Sequence, residues 1–154
     1  MKVLVAGGTG FIGSHLCQAL ADAGHEVTAT ARSPSETPDG VEFAVGDVTA
    51  FDSVAPTVDG HDAVVNLVAL SPLFEPTGGN VMHDRIHRAG TENLVQAAAE
   101  GGADRFIQMS ALGADPDGDT AYIRAKGDAE AAVRESDLDW TVFRPSVVFG
   151  EGGE

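Results

Sequence analysis

Short runs of β-branched and apolar residues alternate with longer stretches of helical periodicity along the whole chain. The apolar runs predict strands over 2–6, 26–31, 41–45, 63–68, 105–109 and 140–143. Their nearly continuous apolar character suits strands covered on both faces, since a strand with one wet face alternates. Helices are predicted over 11–23, 81–100 and 120–135, with a shorter one over 51–54. Alanine-rich stretches such as 96–100 suit helices that lie close to a sheet. This strand and helix rhythm calls for crossover connections, so the expected fold class is α/β with a doubly wound parallel sheet.

Clusters of glycine, proline and aspartate punctuate these elements at 33–40 (SPSETPDG), 71–80 (SPLFEPTGGN) and 113–119 (GADPDGD). Each follows, or nearly follows, a strand and so lies by the carboxyl edge of the sheet, where open α/β folds bind ligands. A chain of 154 residues that is 43% hydrophobic can bury one proper core, and a single domain over 1–154 is expected. It stops at 150–154, just after the sixth predicted strand.

Charge narrows the range of partners. The 24 acids outnumber 9 bases for a formal charge of -15, which repels nucleic acid and anionic membrane surfaces. No apolar run approaches the roughly 18 to 20 residues of a membrane span. The amino terminus, MKVLVAGG, reaches its glycines too soon for a secretory signal. A cytoplasmic protein without a membrane span is therefore expected. Lys2 and Lys126 are the only lysines, and such acid surplus with scarce lysine resembles proteins of salt-loving archaea. Molar salt shortens the Debye length to about 3 Å and relieves the self-repulsion. An ordinary acidic mesophilic protein is the alternative. Cys17 is the lone cysteine, which excludes an internal disulfide and points to buried packing.

Two constellations carry candidate chemistry. The first predicted strand runs straight into Gly7, Gly8, Gly10 and Gly13, with a helix behind them. Glycine at these spacings permits a turn that aims helix amides at a pyrophosphate, with no Cβ obstructing at Gly10 and close helix packing at Gly13. An acid ending the second strand would favour NAD; this chain has Ala31 there, then Arg32 and Ser33, a cation and a hydroxyl suited to a ribose 2′-phosphate. NADP(H) is thus favoured and NAD(H) remains possible, while a surface arginine in a polar loop is the alternative for Arg32. Asp47 could receive the adenine amino group or cap a helix. The NLVA segment, with Leu67, Val68 and Ala69, lies where the fourth strand would line the middle of the cofactor.

The second constellation is Ser110 with Tyr122 and Lys126. Tyr122 and Lys126 are four apart on a predicted helix and share one face, so Lys126 can favour the tyrosinate and hold its hydroxyl. Ser110, ending the fifth strand, can hydrogen-bond a substrate oxygen while Tyr122 gives or takes the proton. An ordinary surface helix pair is the competing reading. His83 and His87 form a further four-residue pair but lack a third ligand and the glutamate of the zinc-protease motif, so no metal site is expected.

GGTGFIG, GDV, NLVA, SALGAD, YIRAK and FRPSVVFG, in this order, resemble the extended and atypical short-chain dehydrogenase/reductase proteins and their NAD-dependent epimerase/dehydratase relatives. The nearest likeness is to the branch holding the Rossmann accessory subunit of respiratory complex I and its prokaryotic homologues, and it covers essentially the whole chain. The resemblance implies an NAD(P)-binding Rossmann fold, with Gly7, Thr9, Gly10, Phe11, Ile12 and Gly13 around the pyrophosphate and Asp47 and Val48 at adenine. It places His87, Lys126 and Pro145 by the cofactor and Ser110, Tyr122 and Lys126 in catalytic positions. The implied function is oxidoreduction of an unknown carbonyl or alcohol; a structural or redox-sensing nucleotide-binding protein and a sugar-nucleotide epimerase are alternatives. A homodimer or association with a respiratory complex is a family expectation. Two departures stand out. His87 occupies the place, three residues before Gly90 and Thr91, where many members have an asparagine. Extended members also continue into a substrate-binding region, so a domain truncated after its sixth strand is expected.

Overall fold

The apolar run Lys2–Ala6 forms β1 at the centre of a six-stranded sheet in the computed structural model, which describes residues 1–153. Strand β1 pairs in parallel with β2 (Glu26–Ala31) on one side and with β4 (Ala63–Asn66) on the other. Outside them lie β3 (Val41–Val45) next to β2, then β5 (Arg105–Met109) and β6 (Asp139–Phe143) beyond β4, so the order is β3-β2-β1-β4-β5-β6. Every pairing is parallel, and the winding reverses direction between β1 and β4. That reversal opens a crevice at the carboxyl ends of the strands.

Successive residues of each strand point to opposite faces, which divides the core in two. On one face α1 (Phe11–Asp22) packs Leu16, Cys17 and Leu20 against Val3, Val5, Val27 and Ala29. On the other, α2 (Phe51–Val58), α4 (Gly90–Glu100) and α5 (Ala121–Arg134) cover Leu4, Val64 and Phe106 with Val54, Val58, Leu94 and Val133. Helices on both faces of a parallel sheet are the doubly wound arrangement that the sequence pattern predicts. No helix among the described residues is long and apolar enough to cross a membrane.

Three elements differ from the sequence expectation. Strand β4 ends at Asn66 rather than 68, because the Asn66 side chain accepts the Val68 amide at 3.1 Å and takes it from the ladder. Helix α2 continues through Pro56 to Val58 instead of stopping at 54, burying Val54, Thr57 and Val58. The long helix expected over 81–100 is a short α3 (Val81–His83), a π-helical segment (Asp84–Ala89) and α4. Such widened turns recur at functional sites, and this one carries His87.

Candidate functional site

The turn from β1 into α1 is built from backbone that other residues would obstruct. Gly7 holds φ at +78°, and a Cβ there would lie 3.0 Å from the Leu67–Val68 peptide. A Cβ at Gly13 would drive into the Gly7 carbonyl, so this glycine seats α1 against the turn. At Gly10 the nearest protein atom to such a Cβ is the Gly7 oxygen at 3.4 Å; the space is open on the cleft side. Gly10 is also the N-cap of α1 and supplies no side-chain bond to the first helical amides, which have no carbonyl within the helix to bond. Free amides at the positive end of a helix dipole form an anion site.

This turn forms one wall of a cleft of about 350 Å³ at the β1/β4 reversal. Gly7, Thr9, Gly10, Arg32, Asp47, Val48, Leu67, Val68 and Ala69 all line it, together with Thr30, Gly46, Thr49, Leu70 and Ile86. Thr30 Oγ1 is buried with no protein hydrogen-bond partner. An orphan hydroxyl, an uncapped helix start and a glycine whose Cβ would fill the cleft together fit an elongated anionic ligand such as a dinucleotide.

At the far end of the cleft Asp47 accepts bonds at Oδ1 from the Thr49 amide (2.9 Å) and hydroxyl (2.7 Å). This is a local turn, not a cap: α2 starts after Ala50, whose side chain makes no cap bond. Burial alone would raise the Asp47 carboxyl, but the Thr49 bonds and the charges of Arg32 and Arg85 hold it below the usual range. Arg85, from the π-helical segment, escaped the sequence reading because only the fold brings it towards β3.

The second constellation assembles on α5. Thr120 caps this helix by accepting the Ile123 amide at 3.2 Å. Lys126 is buried, with Nζ 5.7 Å from the Tyr122 ring centroid, and Nζ donates to the Met109 carbonyl at 3.1 Å. Met109 precedes Ser110, whose amide donates to the Phe143 carbonyl at 2.7 Å and whose Oγ is buried without a hydrogen bond of good geometry. Ser110, Lys126 and the end of β6 thus meet at the end of β5. Burial pushes Lys126 down to about 8 while Glu130 opposes the shift. Burial also raises the Tyr122 phenol, so without a ligand the tyrosinate expected from the four-residue spacing is not favoured.

Two histidines bracket Tyr122. The His83 and His87 rings stack at 5.7 Å, and each meets the Tyr122 ring edge-to-face, at 5.6 and 5.3 Å. His87 Nε2 accepts the Leu70 amide at 3.3 Å, which fixes the proton on Nδ1 and ties the cleft-lining loop to this helix. Burial, followed by the charges of Lys126 and His83, pushes His87 down to about 2. No group of three or more His, Cys, Asp or Glu among the described residues is placed to hold a metal. Tyr122 and His83 open onto a second cavity of about 460 Å³ that the loop residues Leu73 and Phe74 overhang.

Several expected cofactor residues fall outside the cleft lining. Ile12 faces an apolar groove with Leu16, Val65 and Phe143 on the α1 side of the sheet, because the helical turn rotates it away from Gly10. The Phe11 ring lies against Gly150 and Gly153, and Ser33 is exposed in the loop after β2. His87, bonded by the Leu70 amide, and Lys126, beside the Tyr122 ring, are buried, and Pro145 is fixed by its carbonyl, which accepts the Leu112 amide at 2.9 Å. Sequence reasoning gave Asn66 only as the start of the NLVA segment and missed Gln108; the two buried amides bond to each other at 3.0 Å. It also missed Glu130, 1% exposed and gripped by Arg144.

Residues 7–152 match a family described as NAD(P)H-binding. Similar proteins include a 3 beta-hydroxysteroid dehydrogenase/Delta 5-->4-isomerase of Mycobacterium tuberculosis, 36% identical over 71% of this chain and 31% of its own. A 3-diazoavenalumate denitrifying reductase of Streptomyces sp is 33% identical over 99% of this chain and 58% of its own. Subunit 9 of the NADH dehydrogenase [ubiquinone] 1 alpha subcomplex of Arabidopsis thaliana is 30% identical over 95% of this chain and 38% of its own. Among solved structures, the Bordetella bronchiseptica enzyme WbmG in complex with NAD superposes with a TM-score of 0.80. It is 21% identical and is matched over 94% of this chain and 52% of its own. The chain spans between about a third and somewhat over half of the curated relatives named.

Proposed function

The chain belongs to the NAD(P)H-binding family, among the epimerase/dehydratase-like short-chain dehydrogenase/reductase proteins, and from that premise we propose that it binds NADP(H) for oxidoreduction of a carbonyl or alcohol. The observation that supports the reading is buried Lys126, which donates to the carbonyl of Met109, next to Ser110, while its Nζ lies 5.7 Å from the ring of half-buried Tyr122. The α1 amides behind Gly7, Thr9, Gly10 and Gly13 would hold the pyrophosphate, Asp47 the adenine amino group, and Arg32 the 2′-phosphate. When bound, the dinucleotide supplies or accepts the hydride.

The chain's own groups handle the proton. Ser110 Oγ, which makes no protein hydrogen bond of good geometry, donates a hydrogen bond to the substrate oxygen. Tyr122, which burial keeps protonated, gives its phenolic proton to that oxygen in the reducing direction. The Lys126 ammonium stabilises the phenolate left behind. His87 stands in the asparagine position, yet its Nε2 is taken by the Leu70 amide, so its role is to hold the loop rather than relay a proton. The acidic surface suits a cytoplasm of high salt, and assays belong in molar KCl.

The 30% identity with the Arabidopsis subunit favours one second reading, a nucleotide-binding structural protein of a respiratory assembly. Turnover separates the two. In the full-length protein we expect NADPH oxidation on a panel of uncharged ketones, with Tyr122→Phe losing about a hundredfold in kcat while NADPH affinity holds. Unchanged turnover in Tyr122→Phe rejects the catalytic assignment; tight NADPH retention with no hydride exchange on any carbonyl supports the structural one.

A further inference from the structure

One almost fully buried carboxylate lies outside the groups used so far. Glu130 sits one helical turn after Lys126 on α5 and is 1% exposed. Arg144 forks onto it, Nε to Oε1 at 2.7 Å and Nη2 to Oε2 at 2.6 Å, and Arg134 approaches Oε2 at 3.1 Å. Arg144 directly follows β6 and precedes Pro145. Two main-chain bonds tie the same segment to β5: Ser110 N to Phe143 O, and Leu112 N to Pro145 O. The ion pair therefore closes a ring from the end of β5 through the end of β6 to α5, and Lys126 closes it again through the Met109 carbonyl.

A buried ion pair is poor support for stability alone, since well-packed apolar residues often serve as well or better. A requirement for charge at this position accounts for it. Lys126 faces Tyr122 and Glu130 on its own helix, His83 and His87 from the neighbouring helix, and the Met109 carbonyl from β5. Both histidines are held neutral by burial, so Glu130 is the anion in this set. Burial would raise Glu130 itself, but the bonds from Arg144, the nearby Ser110 hydroxyl dipole and the Arg144 and Arg134 charges keep it ionised.

We propose that Glu130 is a positioning residue of the candidate active site: clamped by Arg144, its carboxylate sets α5 against the end of β6 and keeps Lys126 charged. The assignment rests on the role given to Lys126 above, and its test needs no substrate. Because Lys2 and Lys126 are the only lysines, protein labelled with [ε-13C]lysine gives two resonances, and Lys2→Arg assigns them.

The Lys126 titration midpoint in Glu130→Gln is expected to fall by about one pH unit, a tenfold loss of proton affinity. Arg144→Met, which keeps the carboxylate and removes its neutralising partner, is expected to raise the midpoint. An unmoved midpoint in a folded Glu130→Gln protein overturns the proposal. A fall in Arg144→Met overturns it too, because packing and not charge would then control Lys126. Should Glu130→Gln fail to fold, the direction of the Arg144→Met shift decides. NADPH binding is measured on the same samples: a Lys126 shift without any NADPH binding refutes the cofactor reading and leaves the coupling standing.

Discussion

Arg32→Ala is the sharpest test of cofactor choice. Arg32 lines the cleft just after β2, exposed to solvent and near the Asp47 carboxylate. Hydrogen bonds to charged groups contribute about 1.5 to 3 kcal/mol. Solvent screening of an exposed guanidinium lowers this to about 1 to 1.4 kcal/mol, which corresponds to about a fivefold to tenfold weaker Kd. Removing the guanidinium also leaves the Asp47 charge facing the ribose phosphate, so the two effects have the same sign. NADH carries no 2′-phosphate and should lose less than about threefold. The assay is a fluorescence titration with NADPH and NADH, each in about 0.2 M and about 2 M KCl, since the longer-range part of the effect is screened at the higher concentration. Equal weakening of both dinucleotides would refute the reasoning, because Arg32 would then serve the adenosine or the loop. No weakening of either would transfer the phosphate to Arg85.

Two other perturbations separate cradle from fold. Gly10→Ala places a methyl group in the open side of the cleft; it should cost about 1 kcal/mol of stability through the weaker N-cap and at least about tenfold in affinity for either dinucleotide. Unchanged affinity would show that the ligand does not approach this turn. His87 titrates near 6.5 when unfolded and near 2 when folded, so the unfolded chain binds more protons between those values. Stability is therefore lost as pH falls below about 6.5, by up to about 1.4 kcal/mol per unit from this residue. Thermal unfolding at pH 7 and pH 5 should show a smaller drop for His87→Gln than for the wild type, and equal drops would refute the assignment.

The centre of the sheet was legible because its strands are buried on both sides. A run such as Ala63–Asn66 has no wet face to imitate helical periodicity, and all four of its residues are buried. What the pattern could not show was where a side chain competes with the ladder. Asn66 reads as strand by position, yet its amide group captures the Val68 N–H and bonds to Thr91 and Gln108, partners 25 and 42 residues away. The helix expected over 51–54 errs in the opposite direction: the buried Val54, Thr57 and Val58 outweigh the amide that Pro56 lacks, so α2 passes through it. Asp47 was left with two roles, and the structure adds a third contact pattern, with Thr49, that neither spacing nor composition contained.

The site divides along the same line. The glycines of the cradle are required by local backbone geometry, and local geometry is written in neighbouring residues. The electrostatics of Lys126 are not. Its four-residue partner Tyr122 was visible, but burial raises that phenol while lowering the lysine, so the uncharged forms of both are favoured until something compensates. The compensating carboxylate also lies four residues from Lys126, on the opposite side from Tyr122 in sequence. Glu130 looked like one more acid on an acidic chain because its significance depends on being enclosed, and Arg144, fourteen residues on, arrives only when β6 pairs with β5. A proton-handling group in this fold is thus specified twice, by a motif on one helix and by a sheet pairing that closes over it.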